Sequence, residues 1–416
     1  MNHSQRGRRA VIAFAWAFAS AFAFAQDGSH WVASWGTAQM VPEGANVLAP
    51  ELWRDSSLRQ IVRVSLGGQR VRVRLSNAFG TTPLIVEAAS LAKSEGPGKA
   101  GIDEKTAQAL TFNGRAAVMI PAGAEYYSDP LAFEHAAGTD FAISMYFKGE
   151  PVRQTGHPGS RTNSFITRGN RIKESGWSEV VKVTRWYNIA DIEVMAPRSV
   201  GVVVAIGDSI TDGHGATTDG NDRWTDALVA RLAREKAPAM GVVNAGIGGG
   251  RMLRDGLGPS VTARFDRDVI SRSGVTHVII HIGVNDLGGQ HRNAEDLPEA
   301  RAKLLDDLKT AYRQVADRAR AQKVCVIGAT ITPYVGSDYY RPNADNEADR
   351  QALNAWIRNS GTFDAVADFD AAIRDPAQPE RMHKDYDKGD GLHQSPAGFR
   401  AMAEAIPLAA LRPGCK

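Results

Sequence analysis

Four short motifs, widely separated along this 416-residue chain, hold residue types that could act together on an ester bond. They are Gly207-Asp208-Ser209, the glycine-rich segment NAGIGGG at 244–250, Gly283-Val284-Asn285-Asp286 and Asp390-Gly391-Leu392-His393. Acyl transfer needs a nucleophile, a base with an orienting carboxylate, and hydrogen-bond donors for the oxyanion. A serine, a histidine three residues after an aspartate, an amide and several glycines could fill these roles. The motifs therefore predict nucleophilic catalysis on an ester.

Three of the motifs directly follow predicted strands. An apolar run over 201–206 ends just before Ser209, Val242-Val243 leads into the glycine-rich segment, and a run over 278–282 leads into Gly283. Continuous apolar runs are typical of strands that are buried on both faces of a sheet. The carboxyl ends of parallel strands meet at one edge, where open α/β sheets bind ligands. We therefore expect these motifs to converge at that edge.

Helices are predicted between the strands. Apolar residues recur with helical spacing at Trp224, Leu228 and Leu232, and again at Leu304, Leu305, Leu308, Tyr312, Val315 and Ala319. Further β-type runs over 323–329 and 365–369 bring the predicted strands to about five. Alternating strands and helices predict a doubly wound α/β domain with a parallel sheet and right-handed crossovers.

The last predicted helix places the histidine. Ser395 is a suitable N-cap residue and Pro396 is favoured at the first helical position, so the helix should begin there. His393 then lies in the loop just before the helix. From a loop, its side chain could reach Ser209.

Each motif also has another interpretation. Gly207-Asp208-Ser209 could be an ordinary turn, and Asn285-Asp286 could simply cap the following segment. The glycine-rich segment could hold phosphate, but it lacks the Lys-Ser/Thr ending of a P-loop. An α/β-hydrolase elbow requires glycine two residues after the serine, where this chain has Thr211.

In these four motifs, in this order, the chain resembles the SGNH-type, or GDSL-type, serine hydrolases. The resemblance covers about Arg198 to the C-terminus. It implies a flavodoxin-like, doubly wound domain without a cofactor. It also implies a catalytic triad in which Ser209 is the nucleophile and His393 is the base, oriented by Asp390.

The resemblance further implies an oxyanion hole. Its donors would be the backbone N–H of Ser209, the side-chain amide of Asn285 and the backbone N–H of one glycine. The spacing from Asn244 favours Gly249 as that glycine, and Gly246 and Gly248 stay open as alternatives.

We expect no metal ion. His277 and His281 project from one face of a predicted strand, but no ligand completes a zinc set, so core positions are favoured. Asp385, Asp387 and Asp390 form an acidic turn that lacks the glycine and the glutamate of a calcium loop.

The N-terminus has the pattern of a secretory signal. Arg6, Arg8 and Arg9 precede an apolar stretch over 10–24, which ends in Ala23-Phe24-Ala25. We expect residues 1–25 to be removed after Ala25, giving a secreted or periplasmic protein; an uncleaved anchor is the alternative.

Loss of three arginines and no acid reduces the formal charge from +3 to zero, which leaves no basic surface to attract nucleic acid. No later apolar run reaches membrane-spanning length.

The segment from 29 to 196 has a different sequence pattern, with short β-type runs separated by turn residues. It predicts a β-sandwich domain that leads directly into a hydrolase domain over 197–416. The clearest predicted hairpin joins a strand over 58–66 to one over 70–75 through Gly67-Gly68. Of the two cysteines, Cys325 should be a buried small hydrophobe outside any disulfide framework.

A β-sandwich ahead of such a hydrolase domain resembles the arrangement of several secreted carbohydrate esterases, where it binds glycan or forms a wall of the active site. Tryptophans in the segment could stack on sugar rings or could belong to its core: Trp31, Trp35, Trp53, Trp177 and Trp186. The expected function is a secreted serine esterase that removes short acyl groups, such as acetyl, from small esters or acylated polysaccharide. Lipase, thioesterase, arylesterase or acyltransferase activity would use the same residues, and a non-catalytic glycan-binding protein is a further alternative.

Overall fold

The computed structural model describes residues 28–177, 179–293, 296–412 and 414. The predicted signal segment, 1–25, lies outside these residues. The N-terminal β region contains the strands β1 (Ser29–Gly36), β2 (Ser56–Arg63), β3 (Gly68–Ser76), β4 (Leu84–Val86), β5 (Ala88–Lys93), β6 (Gln108–Leu110), β7 (Val118–Ile120), β8 (Glu125–Tyr127), β9 (Leu131–His135), β10 (Asp140–Phe147), β11 (Gly156–His157), β12 (Ser164–Arg168), β13 (Val181–Val183), β14 (Trp186–Tyr187) and β15 (Ile189–Pro197).

Two antiparallel sheets dominate this region, as the β-sandwich prediction required. One has the order β1-β15-β3-β8, with β9 also paired to β3, and the other has the order β13-β12-β2-β10-β5-β6. Val71 and Val73 of the first sheet and Phe141 and Ile143 of the second belong to one buried cluster. The alternation of apolar residues along each strand supplies this core, because successive side chains point to opposite faces.

The predicted hairpin at Gly67-Gly68 is wrong. Strand β2 pairs with β10 and β12, whereas β3 pairs with β15, β8 and β9, so the two strands lie in different sheets. Each strand was recognised by its alternating pattern. The local sequence does not distinguish a hairpin from a link between two sheets, since both use a short glycine-containing turn.

The C-terminal α/β region alternates strands and helices. Its strands are β16 (Gly201–Gly207), β17 (Met240–Gly246), β18 (Val275–His281), β19 (Cys325–Ala329) and β20 (Ala365–Ala367). Its helices are α1 (Ser209–Asp212), α2 (Trp224–Arg234), α3 (Val261–Phe265), α4 (Val284–Arg292), α5 (Pro298–Ala321), α6 (Ala344–Asn359), α7 (Phe369–Ile373) and α8 (Pro396–Glu404).

These five strands form one parallel sheet with the order β17-β16-β18-β19-β20. This is the flavodoxin-like order, in which the chain reverses direction across the sheet beside β16. The doubly wound prediction is confirmed. Every residue of β16 is buried, and the predicted stripes of α2 and α5 point inward through Leu228 and Tyr312.

The N-terminal β region and the α/β region pack tightly together. Their apolar side chains form one continuous buried cluster. The Val242 N–H donates to Ser65 Oγ at 3.0 Å, and a Cβ on Gly241 would lie 2.1 Å from the Ala33 oxygen. Only a residue without a side chain fits at that approach.

A buried ionic group also spans this contact. Arg272 donates to the carbonyl oxygens of Thr37 and Ala190 and pairs with Asp191. Asp191 is also within 3.2 Å of Arg74. Removing one partner would leave an unpaired buried charge, which is strongly destabilising.

Three further observations bear on the sequence analysis. Of the five tryptophans named in the N-terminal segment, four are buried, namely Trp35, Trp53, Trp177 and Trp186. Cys325 is buried, as predicted, but it is disulfide-bonded, so the prediction that it lies outside any disulfide is wrong. Within the described ranges, none of the helices has the length and apolarity needed to cross a bilayer.

Candidate active site

Ser209 lies where the first buried strand of the α/β region ends. Strand β16 stops at Gly207, Asp208 caps α1 by accepting from the Ile210 N–H at 3.0 Å, and Ser209 is the first helical residue. A Cβ on Gly207 would lie 2.3 Å from the His281 oxygen, so the close approach of β18 requires glycine there. The turn places the hydroxyl group of Ser209 at the carboxyl edge of the sheet.

His393 and Asp390 reach Ser209 from the loop before α8. Ser209 Oγ and His393 Nε2 are 2.8 Å apart, and His393 Nδ1 and Asp390 Oδ2 are also 2.8 Å apart. The other carboxylate oxygen of Asp390 accepts from the backbone N–H groups of Leu392 and His393. Burial opposes ionisation, but these hydrogen bonds from His393 and Leu392 outweigh it and hold the pKa of Asp390 well below its usual range. The carboxylate is therefore fixed in its charged form against the imidazole.

The glycine-rich segment turns beneath Ser209, and most of its N–H groups have acceptors. The Gly246 N–H donates to Asn244 Oδ1, that of Gly248 to Asp212 Oδ2, and that of Gly250 to the Ile247 oxygen. The Gly249 N–H has no acceptor among the described residues. Its φ of +69° is one that glycine adopts without strain.

The amide of Asn285 is held from both sides. Its Nδ2 donates to the Gly250 oxygen at 2.7 Å, and its Oδ1 accepts from the Tyr340 hydroxyl at 2.5 Å. The amide nitrogen has a second hydrogen. Asn285 and Gly249 both line the cavity that contains Ser209, so this hydrogen and the Gly249 N–H are available to a bound group.

The cavity has a volume of about 840 Å³, which is within the usual range for a small-molecule site. One wall comes from the N-terminal β region and includes Met40, Asn46, His157 and Arg161. The rim includes Tyr339, which is 57% exposed. Both regions of the chain thus build the site.

Asp212 and His157 are functional candidates that sequence reasoning missed. His157 Nε2 is 2.9 Å from Asp212 Oδ1, and His157 Nδ1 is 2.9 Å from the Ala38 oxygen. The other oxygen of Asp212 accepts from the Gly248 N–H at 3.1 Å. Asp212 lies one helical turn after Ser209, and this spacing could have identified it as a candidate from the sequence alone. His157 was visible only as part of a predicted turn, so its role needed the tertiary structure.

His214 and Tyr340 were also missed. The His214 ring lies 4.1 Å from the His393 ring, centroid to centroid, and Arg161 Nη2 and Lys388 Nζ approach its two nitrogens at 2.9 and 3.0 Å. Burial, followed by the positive charges nearby, lowers the pKa of His214 to about 4. His214 follows Ser209 by five residues, whereas the sequence around Tyr340 gives no signal.

Among the described residues, one group of three side chains could hold a metal ion: His214, Asp390 and His393. Their ligand atoms lie within 4.8 Å of one another. Arg161 and Lys388 contact the same imidazole, and two positive charges beside it disfavour a cation. His277 and His281 lie buried on β18, where burial lowers the pKa of His281 to about 3.

Part of the chain that contains this site matches a known protein family. Residues 205–401 match the GDSL-like lipase/acylhydrolase family. A search of curated protein sequences found no match.

Solved structures similar to this chain include a lipolytic protein of the G-D-S-L family from Desulfitobacterium hafniense, with 20% identity, a TM-score of 0.36, and coverage of 49% of this chain and 96% of that one. A GDSL-like lipase from Bacteroides thetaiotaomicron has 21% identity, a TM-score of 0.37, and coverage of 50% and 86%. A variant of an acetyl xylan esterase from Geobacillus stearothermophilus has 22% identity, a TM-score of 0.36, and coverage of 50% and 94%. The family match identifies residues 205–401, in the C-terminal α/β region, as a GDSL-like lipase/acylhydrolase domain, and members of this family are ester-hydrolysing enzymes.

Proposed function

We propose that this protein is a serine esterase in which Ser209, His393 and Asp390 form the catalytic triad. The observation that carries the proposal is the unbroken chain of 2.8 Å contacts from Ser209 Oγ through His393 to Asp390, which opens into the cavity. A serine hydroxyl is a weak nucleophile at neutral pH and needs an adjacent base that a third group orients. These contacts fit that need.

In the acylation step, Ser209 Oγ attacks the ester carbonyl carbon while His393 Nε2 takes the hydroxyl proton. The oxygen of the tetrahedral intermediate becomes negative and accepts from the N–H groups of Ser209 and Gly249 and from the Asn285 amide. When the intermediate collapses, the C–O bond to the alcohol breaks and His393 returns the proton to the alcohol oxygen. An acyl group then remains on Ser209.

In the deacylation step, water replaces the alcohol. His393 takes a proton from the water, the water oxygen attacks the acyl carbon, and the same donors stabilise the second oxyanion. Collapse releases the acid and returns the proton to Ser209. Asp390 stays ionised throughout and holds the imidazole in position, in keeping with the lowered pKa of its carboxyl.

For the substrate, we propose short acyl groups such as acetyl, carried on a saccharide alcohol. A cavity of about 840 Å³ has room for a sugar-sized alcohol. The exposed ring of Tyr339 at the rim offers an aromatic face on which a sugar ring could stack.

We further propose that residues 29–196 act as a wall of the active site and 197–416 as the hydrolase domain. The contributions of Met40, Asn46, His157 and Arg161 to the cavity support the first assignment. For localisation, we propose export with cleavage after Ala25. The disulfide at Cys325 fits an oxidising compartment.

Covalent labelling tests the nucleophile. A fluorophosphonate probe should modify Ser209, and Ser209→Ala should lose both labelling and hydrolysis of 4-nitrophenyl acetate while keeping the wild-type unfolding transition. The matched control is Ser199→Ala at an exposed turn ten residues earlier, which should label normally. An adduct mapped by mass spectrometry to another residue would contradict the assignment.

A substrate panel tests the acyl and alcohol parts. The enzyme should release acetate from acetylated polysaccharide and should hydrolyse 4-nitrophenyl acetate faster than the longer-chain esters. Faster turnover of long-chain esters would favour lipase action instead, and binding of glycan without any turnover would favour the non-catalytic alternative.

A further inference from the structure

The loop between β11 and β12 carries an arginine into the catalytic cavity. Arg161 has a φ of +48°, a left-handed backbone conformation that residues with side chains rarely adopt because it is strained. Its carbonyl oxygen accepts from the Asp219 N–H at 2.8 Å, and the neighbouring Ser160 oxygen accepts from Arg223. The α/β region thus holds this loop in an unfavourable conformation. Strain of this kind is concentrated at functional sites.

The guanidinium of Arg161 has no acidic partner in the part of the chain that the structure describes. Among the described residues, no carboxylate lies within ion-pair distance of it, and its one side-chain hydrogen bond joins Nη2 to His214 Nδ1 at 2.9 Å. Its Nε is buried and has no acceptor within the described ranges. An arginine has five N–H donors, and a buried donor without an acceptor destabilises the folded protein.

The surrounding groups add donors rather than acceptors. Lys388 Nζ approaches the other nitrogen of His214 at 3.0 Å. A neutral imidazole has one acceptor nitrogen, whereas Arg161 and Lys388 can only donate, so one of the two contacts on His214 is unsatisfied. Lys388 also lies 3.4 Å from Asp390, whose carboxylate is already committed to His393.

The cluster of Arg161, His214 and Lys388 lies on the side of the site where the alcohol leaves. The His214 ring packs 4.1 Å from the His393 ring, and His393 hands its proton to the alcohol oxygen. The oxyanion donors of Gly249 and Asn285 instead bind the carbonyl oxygen. A group that contacts the cluster therefore belongs to the alcohol part of the ester.

We propose that Arg161, His214 and Lys388 form a subsite for a carboxylate on the alcohol part of the substrate, so that the enzyme acts on acyl esters of acidic saccharides such as uronic acids. The proposal rests on the esterase function proposed above. The charges of Lys388 and Asp390 offset each other, so the cluster keeps about one net positive charge, that of Arg161. A ligand with a single negative charge matches it. Glu43 and Asp338 also line the cavity, but both are exposed and therefore screened by solvent.

Matched substrates test the subsite. The comparison is the ratio of kcat/KM for a mono-O-acetylated methyl glucuronoside to that for its 6-methyl ester, which has no charge. We expect a ratio of about tenfold or more, since a hydrogen bond to a charged group contributes about 1.5–3 kcal/mol. The ratio should fall toward one in Arg161→Gln, and it should also fall as ionic strength rises. A merely structural role for Arg161 would leave the ratio unchanged.

Arg153→Gln is the control variant, because Arg153 is an exposed arginine eight residues earlier in the same region. It makes the same change of charge and should keep the wild-type ratio. A ratio near one in the wild-type enzyme would overturn the subsite proposal. Turnover of 4-nitrophenyl acetate by the same protein would still support the proposed esterase function.

A binding measurement decides the subsite even if no ester is hydrolysed. Calorimetric titration of Ser209→Ala with unacylated methyl glucuronoside should give a Kd about tenfold or more below that for its 6-methyl ester. Adding Arg161→Gln to that variant should remove the difference. Equal affinity for the two ligands would overturn the proposal.

Discussion

At the scale of single residues, the site is notable for how little its polar groups must move. Asn285 is fixed by Tyr340 on one side and by the Gly250 oxygen on the other, so its amide already has one orientation. Donors that are oriented before the reaction stabilise a developing charge without reorganisation. The Tyr340 ring packs where a Cβ on Gly288 would lie 2.5 Å from it, so α4 needs glycine at that position.

This arrangement predicts coupled effects of Asn285 and Tyr340. Asn285→Ala should lower kcat by about 10²–10³ with little change in KM, because the amide acts on the oxyanion and not on the bound ester. Tyr340→Phe should lower kcat by about tenfold, since the amide survives but loses its orientation. On the Asn285→Ala background, Tyr340→Phe should have no further effect on kcat. Steady-state kinetics of the three variants checks this, and additive losses would contradict the positioning role.

Asp208 predicts a pH dependence of stability. Burial raises the pKa of its carboxyl to about 7, and Oδ2 has no hydrogen-bond partner among the described residues. Because the folded-state pKa is above the unfolded value of about 4, the contribution of Asp208 to stability is present below pH 4 and lost as pH rises through 7.

Asp208→Asn cannot ionise, and it keeps an acceptor for the Ile210 N–H. Its free energy of unfolding relative to wild type should therefore increase between pH 5 and 8 by at most about 3 kcal/mol, because about two pH units separate pH 5 from the folded-state pKa of about 7, at about 1.4 kcal/mol each. Urea unfolding at both pH values measures this. Asp306→Asn, on the exposed face of α5, should show the same pH dependence of the free energy of unfolding as wild type. If Asp208→Asn shows that same dependence, the prediction is wrong.

The His214, Asp390 and His393 group predicts inhibition by metal ions rather than activation. A divalent ion there would occupy the atoms that, in the proposed mechanism, orient His393 and accept the Ser209 proton. Dialysis against EDTA should leave kcat unchanged, and added Zn²⁺ should lower it only in large excess, because Arg161 and Lys388 disfavour a cation beside His214. Activity lost with EDTA and restored by a divalent ion would show instead that the group is a required metal site.

At the scale of elements, the ends of β16, β17 and β18 bring the motifs together, and α1 links two of them to the N-terminal β region. Asp212 at the end of α1 contacts His157 of β11 and the Gly248 N–H after β17. The orientation of the Gly249 N–H thus depends on a residue from the other region of the chain.

This link predicts that Asp212→Asn, which keeps only one acceptor oxygen, should lower kcat by about tenfold without a matching change in KM, because the oxyanion turn is displaced rather than removed. His157→Ala should act in the same direction. The control is Asp222→Asn, which alters a carboxylate in the same segment that accepts from the Thr217 N–H. Wild-type kcat in Asp212→Asn would show that the turn holds its position without this link.

At the scale of the whole molecule, the N-terminal β region is part of the structure that supports the catalytic sheet. The two regions share one buried apolar cluster, and Arg272 of the α/β region is satisfied mainly by groups of the β region. Separation would expose that apolar surface and leave Arg272 without most of its partners.

A fragment starting at Arg198 should therefore aggregate, or lose activity on 4-nitrophenyl acetate as well as on polymers. Size-exclusion chromatography and the acetate assay, run beside the mature protein, measure both properties. A monomeric fragment with full activity on the small ester would show that the β region is an independent module.

The sequence by itself determined the parallel sheet and the identities of the central candidate residues. Several buried strands rich in Val and Ile each end in a polar motif. In a doubly wound sheet the carboxyl ends of such strands lie at one edge, so the motifs meet there regardless of loop conformation. The Asp390-to-His393 spacing and the Ser395-Pro396 helix start are local signals, so they could be read without a fold.

Only the tertiary structure decided how the two regions meet. Contacts between distant segments decide the link between β2 and β3 and the partner of Gly248. They also decide the contact of His157 with Asp212 and that of Arg161 with His214. Such contacts leave no periodic pattern in the chain, because they arise from close packing and from the need to satisfy buried polar groups rather than from local propensity.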